Sequence, residues 1–435
     1  MTDQSEPEQH DAPRLTTRQA AELLGVKPET VYAYVSRGQL SSVRAAGGRG
    51  STFDAEEVRA LARRSGRRDP SPAGGDLAFR TGITLIEDDR CYFRGVDATE
   101  LARRYGYEEV AEWLWTGELR PGARFAAPDG TLTAARRAVE ALPAHSGSTD
   151  RLRVAVTAAA ATDPLRFDLS PAAVLNSARG LIPTLVGALP VVGALPVLGS
   201  PAAEGDSLAA ELWSRLTAEP ADAPSLAVLD AALALLVDHD LAASTLAARV
   251  AASARAHPYA VVSAGLGVLE GPLHGAASGL AHRLLREAVD RGSAVPVVAD
   301  HLRTGRRVPG LGHRIYRGED PRAAVLFELL AEVPQAAGAL AAAREVVATT
   351  ARHAPLHASI DLALAVLSVS RGMAADAGET VFAVSRTAGW IAHALEEYGE
   401  RPLRIRPSGQ YTGPRPPQPF PRDGSGPDQG PGSAN

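Results

Sequence analysis

The chain has 435 residues, enough for about two or three domains, and 45 % of them are apolar, so a large core can be buried. A net charge of −5 excludes a polycation built along its whole length for nucleic acid. The one cysteine, Cys91, excludes an internal disulfide and suits a reducing, cytoplasmic compartment. Lys27 is the sole lysine, and arginine supplies every other fixed cation. The N-terminus lacks the charged-then-apolar design of a signal peptide. The longest apolar run, Leu181 to Leu198, is broken by Pro183, Pro190 and Pro196 and is short for a membrane span. It is expected to be a buried hairpin of helices, with no membrane association.

In chain order, residues 1–13 are acidic and polar and are expected to be disordered. Residues 14–64 form a patterned unit. Thr16 or Thr17 can N-cap a first helix carrying Ala20, Ala21, Leu23 and Leu24, and Gly25 ends it. Pro28 opens a second helix, PETVYAYVSRG, closed by Gly38. QLSSVRAAGGRGSTF reads as a small β-wing with Gly47, Gly48 and Gly50 at its tip, and Asp54 caps a third helix, DAEEVRALARR. Two short helices with a Gly turn and then a wing make a winged helix-turn-helix pattern. Basic residues outnumber acids here, so this region is net positive in an otherwise acidic chain. LTTRQAAELLGVKPETVYAYVSRGQL resembles the MerR/excisionase type of helix-turn-helix. The resemblance implies DNA contact by the second helix, where Lys27, Thr30, Tyr32 and Arg37 could reach phosphates or bases. A retired DNA-binding fold serving as a protein-interaction module is the alternative.

Residues 65–78 have the composition of a linker, and residues 414–435, rich in Pro and Gly, read as a disordered tail. Between them the chain is Ala/Leu-rich with helical spacing, and strand signals are confined to residues near 80–95. The expected fold class is all-α. Metal chemistry finds no support: there is no His-Glu-x-x-His and no Cys pair, and Pro355 separates His353 from His357. No Gly-x-Ser-x-Gly nucleophile elbow occurs either.

Four polar features of the helical body remain. His274, in LEGPLHGAASGLAHRLL, sits at or just before a helix N-terminus, whose partial positive charge holds the ring neutral. A neutral imidazole can donate to an oxygen gaining negative charge, or it can simply cap its helix. His313 follows a stiff Pro-Gly-x-Gly turn in VPGLGHRIYRGEDPRA. Asp361 is the only carboxylate in HASIDLALAVLSVS; in a dry site it is a stronger base, while beside a Ser359 cap it would only complement the helix dipole. Arg322, Arg386 and Arg406 offer forks suited to carboxylates and phosphates.

Together these segments resemble the citrate synthase family: DHDLAASTLAARV, GPLHGAAS, VPGLGHRIYRGEDPRA, FAVSRTAGWIAHALE and LRIRPSGQYTGP stand in the family's order. So does the start, TGITLIEDDRCYFRGVDATELARRYGYEEVAEWLWTGEL, and the likeness covers residues 79–413. It implies a two-domain helical fold, with a large domain of residues 79–273 and 367–413 and a small closing domain of residues 274–366. It also implies a homodimer. His274, His313 and Asp361 match the family's catalytic trio. His239 matches a histidine that contacts the oxo-acid, and Arg322 and Arg386 match arginines that grip its carboxylates. Arg406 matches an arginine that acts across the dimer interface, and Arg317 a coenzyme A phosphate contact. The implied co-substrates are oxaloacetate and acetyl-CoA or propionyl-CoA, with no bound cofactor.

Several residues depart from the family's pattern. His274 is followed by Gly-Ala-Ala-Ser where His-Gly-Gly-Ala-Asn is frequent, Ser359-Ile360 precede Asp361 in place of Asn-Val, and Ala242 lies where an Asn is usual. These changes bear on acyl-CoA preference and rate more than on the reaction. They also leave a second reading open: a DNA-binding, metabolite-sensing regulator built on the enzyme's body.

Overall fold

The structure is a computed structural model of the whole chain. It describes residues 14–24, 26–36, 38–44, 50–64, 79–193, 207–271, 274, 275 and 277–405, with a few more in 412–418. The expectations for residues 1–13 and 65–78, and nearly all of that for 414–435, fall outside the described residues. Contacts divide the chain into two compact units, one ending at Arg80 and one starting at Thr81.

The first unit runs β1 (Arg14–Thr16), α1 (Thr17–Leu24), α2 (Pro28–Ser36), β2 (Ser42–Arg44), β3 (Ser51–Asp54) and α3 (Ala55–Arg64). A reciprocal cap starts α1: Gln19 N donates to Thr16 Oγ1 (3.3 Å) and Thr16 N donates to Gln19 Oε1 (2.9 Å). Asp54 caps α3 by accepting from the amides of Glu56 and Glu57 (2.8 and 3.0 Å). Ala20, Leu24, Val31, Leu40, Phe53 and Val58 form the core. The sequence predicts a two-stranded wing, but the sheet has a third strand, with order β1-β3-β2, all antiparallel. Three residues are too few to show a strand period. What fixes β1 is remote in sequence: the Arg14 guanidinium donates to Thr52 Oγ1 and O, each at 3.0 Å.

The second unit opens with an antiparallel meander of β4 (Thr84–Glu87), β5 (Arg90–Phe93) and β6 (Val96–Asp97). Helices follow: α4 (Ala98–Arg104), α5 (Tyr107–Thr116), α6 (Asp129–Glu140), α7 (Ser148–Thr162), α8 (Pro171–Ala188) and α9 (Leu208–Leu216). Next come α10 (Ala223–Leu236), α11 (Ala243–Ser253), α12 (Pro258–Leu269), α13 (Ala277–Asp290), α14 (Val295–Arg303), α15 (Pro321–Ala331), α16 (Ala337–Ala351), α17 (Ile360–Ser370) and α18 (Ala377–Tyr398). The all-α expectation holds for this unit.

The apolar run beginning at Leu181 is not a helical hairpin over the residues described. Leu181–Ala188 is the second half of the single helix α8, which carries Pro183 inside it. Burial of Leu181, Ile182, Leu185 and Val186 stabilises that half more than one missing backbone bond costs. No single helix among the described residues is long and apolar enough to cross a membrane.

Helix α18 is the axis of the unit, buried along most of its 22 residues and packed by α5, α8, α10, α11 and α12. Two glycines let neighbours come close. A Cβ on Gly265 of α12 would lie 2.5 Å from the Trp390 ring, and one on Gly389 would collide with the carbonyl of Val237. The second approach brings the segment Asp238-His239 against α18. Cys91 of β5 is buried in the same continuous core.

Candidate active site

The site is assembled from loops and helix ends. His239 follows α10, His274 precedes α13, and His313 lies in the loop between α14 and α15. Arg322 and Asp361 stand in the first turns of α15 and α17, and Arg386 lies in the middle of α18.

His313, His239 and Tyr316 form one aromatic cluster. Ring centroids are 5.2 Å apart for His239 and His313 and 4.7 Å for His313 and Tyr316. His239 Nε2 is 3.0 Å from the Tyr316 hydroxyl. The amides of Ile315 and Tyr316 both donate to His313 Nδ1 (3.1 and 3.3 Å). Nδ1 therefore carries no proton, and the neutral ring keeps its N–H on Nε2. Burial and then the Arg322 charge push His313 down to about 4. Burial, Arg322 and Arg386 push His239 well below the imidazole range. Both rings are neutral near pH 7.

Arg322 is buried and forms a bidentate pair with Asp320, through Nε and Nη2, each at 2.9 Å. Its Nη2 also lies 3.5 Å from His313 Nε2. Asp320 caps α15 by accepting from Arg322 N (3.1 Å) and reaches the start of α17 by accepting from Ile360 N (3.1 Å). This carboxylate joins the His313 loop to the helix that presents Asp361. Burial raises Asp361 above the usual carboxylate range, with Arg322 opposing. Ser359 makes no side-chain cap on α17; its hydroxyl donates to Asp361 Oδ2 (3.3 Å).

On the other side, Phe382 faces both Arg386 (4.5 Å from guanidinium carbon to ring centroid) and His274 (6.1 Å between ring centroids). Phe382 and Arg386 are four apart on α18 and so share a face. His274 Nε2 is 2.8 Å from Ser244 Oγ. Burial, then the Arg386 charge, lowers the His274 pKa. Arg386 is fully buried, and its Nε donates to Leu236 O (2.9 Å). Its Nη1 and Nη2 have no acceptor among the described residues. Asp238, held by His393 at 3.3 Å, is the counter-charge behind Arg386.

Sequence reasoning named His239, His274, His313, Arg322, Asp361 and Arg386, and the structure gathers these six. His239, His313 and Arg322 meet directly, His274 and Arg386 share Phe382, and Asp361 is tied in through Asp320. Arg317 is exposed, while Arg406 lies outside the described residues. Tyr316, Asp320, Asp238, Ser244 and Phe382 were not foreseen. Asp320 had a readable signal, an Asp before a Pro-Arg helix start.

Neutral imidazoles, two buried guanidinium groups and one buried carboxylate of raised pKa gathered in one place are the assembly of an enzyme active site. The family model described as citrate synthase, C-terminal domain, matches residues 74–408, and one described as helix-turn-helix domain matches residues 14–66. Citrate synthase of Haloferax volcanii is 32 % identical over 78 % of this chain and 94 % of its own. The 2-methylcitrate synthase of Shewanella oneidensis is 27 % identical over 78 % of this chain and 93 % of its own. Among solved structures, citrate synthase from Thermotoga maritima superposes with a TM-score of 0.62 at 25 % identity, covering 80 % of this chain and 96 % of that one. That of Thermoplasma acidophilum, in ternary complex with carboxymethyl coenzyme A and oxaloacetate, shares the fold with a TM-score of 0.64 at 22 % identity, covering 80 % and 96 %. The chain belongs to the citrate synthase family, an enzyme of that type preceded by a helix-turn-helix domain.

Proposed function

We propose that the protein condenses oxaloacetate with acetyl-CoA or propionyl-CoA to give citrate or 2-methylcitrate and CoA. The observation that carries this reading is Arg386, a buried guanidinium with two unpartnered nitrogens between His239 and His274. Buried donors of this kind fit a carboxylate bidentately. Arg322 and His239 complete the grip on oxaloacetate, and Arg406 adds to it across a homodimer interface. Arg317 meets a coenzyme A phosphate.

Asp361 takes a proton from the carbon beside the thioester while His274 hydrogen-bonds the thioester oxygen. The enol carbon attacks the ketone carbon of oxaloacetate. His313 donates from Nε2, where its proton resides, to the developing alkoxide. Water then hydrolyses the thioester, releasing CoA. Closure of residues 274–366 over residues 79–273 and 367–413 keeps water from the enol until the carbon–carbon bond forms.

The test is CoA release from each acyl-CoA in the presence of oxaloacetate, followed with a thiol reagent. Release is expected with at least one, and Asp361→Ala should abolish it while oxaloacetate still binds. Silence with both acyl-CoAs would overturn the reading.

The helix-turn-helix unit supports a second reading, DNA binding that responds to the metabolites of the body. Lys27, expected on the second helix, is exposed just before α2, and Thr30 is half-buried on it. Tyr32 is exposed too, but its hydroxyl lies 3.2 Å from Thr17 Oγ1 and its ring packs on Phe53, so it also serves the fold. Arg37 lies outside the described residues. Retention on duplex DNA should weaken steeply with salt and change when oxaloacetate or CoA is added. No specific retention at moderate salt would rule this reading out.

A further inference from the structure

We propose that Asp89, at the tip of the β4–β5 hairpin, is a positioning residue for His313. The loop from His313 to Asp320 has no regular structure, and four of its backbone N–H groups find side-chain acceptors. They are divided in sequence. The amides of Ile315 and Tyr316 go to the imidazole of His313 itself (3.1 and 3.3 Å). The next two, Arg317 and Gly318, go to the two carboxylate oxygens of Asp89 (2.8 and 2.9 Å). One carboxylate thus fixes the strand of chain whose preceding amides orient His313, and whose Tyr316 hydroxyl holds His239 (3.0 Å).

The hairpin bears a conformational cost for this contact. Glu87 pairs with Arg90, leaving Asp88 and Asp89 as a two-residue turn with both φ angles positive (49° and 56°). Turns of this type favour Asn-Gly or Asp-Gly, and a residue other than glycine at the second position is strained there. A turn optimised only for folding would carry glycine at position 89. The carboxylate present instead is spent on the loop of His313.

The inference rests on the condensation reading, so its test has readouts that do not require turnover. Asp89→Asn keeps a residue suited to the turn and one acceptor oxygen, but its amide nitrogen opposes the second backbone N–H. Amide exchange at Arg317 and Gly318 should accelerate. The ¹⁵N imidazole spectrum of His313 should change from a single Nε2–H tautomer to a mixture. In turnover, kcat should fall about 10- to 100-fold, as for a small misplacement of a reacting group. Oxaloacetate affinity should fall much less than kcat, because Arg322 and Arg386 are untouched and His239 is loosened only through Tyr316. Asp89→Gly should give the same losses while relieving the turn, and Asp88→Gly, which alters the turn alone, should leave kcat unchanged. Unchanged exchange and an unchanged tautomer in Asp89→Asn would overturn the proposal, whether or not the wild type turns over. So would faster exchange with an unaltered kcat, or a kcat loss matched by loss of folded protein. Absence of CoA release by the wild type would defeat only the condensation reading, with the exchange and imidazole spectra still deciding the role of Asp89.

Discussion

Arg386 is fully buried with two nitrogens that no acceptor among the described residues meets, a state that costs the fold free energy a hydrophobic side chain would not. Arg386→Met removes that cost but also takes a counter-charge from buried Asp238 and the bond to Leu236 O, so its melting temperature should change little. Its oxaloacetate affinity should fall by about 3 kcal/mol, or ~100-fold, as a bidentate charge-assisted contact is lost. Melting curves and calorimetry with oxaloacetate test both halves; a large drop in stability with intact affinity would contradict the assignment. On the proposed mechanism Asp361 sets the acid side of the pH profile. Its pKa is raised, so as pH falls through that value the carboxyl regains its proton and ceases to be a base. His313 is pushed down to about 4 and His239 well below its ordinary value, and burial lowers His274 as well. The acid limb of kcat/KM should thus lie above the normal carboxylate range; a limb at or below about 4 would refute it. The six side chains that the structure gathers were legible because each sits in a short local motif. Their supports were not, since the partners are remote: Tyr316 meets His239 across 77 positions, and Asp238 meets His393 across 155.

At the scale of elements, Asp320 couples two helices and one loop. It pairs with Arg322, caps α15 and accepts from the first amide of α17. Asp320→Ala strands a buried guanidinium and should destabilise the protein by about 3–5 kcal/mol, read in denaturant unfolding. A loss under about 1 kcal/mol would mean the pair is not buried in solution. Gly265 sets how closely α12 approaches α18, with Trp390 between them. Gly265→Ala should cost about 1–3 kcal/mol through overpacking, visible as a lower unfolding midpoint. Helical period and caps made most of the helices readable from sequence. Two elements escaped. β1 has only three residues and is defined by its partner β3. In α8 burial outweighs an internal proline, which local propensity counts as a break.

For the molecule as a whole, the division after Arg80 separates two cores with no shared buried residues. Each meets the ordinary condition for folding alone. A chain of residues 74–435 should keep the kcat of the full protein and lose retention on DNA. Loss of both properties together would show that the units depend on each other. Which acyl-CoA is preferred was not legible at any scale, because the departures at Ser278, Ser359 and Ala242 surround the reacting groups without touching a substrate in the sequence.

The molecule's only thiol also gives it a private gauge. Cys91 is 1 % exposed and burial pushes it up to about 12, so the native protein holds almost no thiolate. Its thiol interacts with the Tyr316 hydroxyl. A disulfide reagent should consume no sulfhydryl from the folded enzyme and one per chain after denaturation. The colour in a CoA assay then comes from product alone, and any slow labelling of the resting enzyme clocks how often the hairpin parts from the loop it clasps.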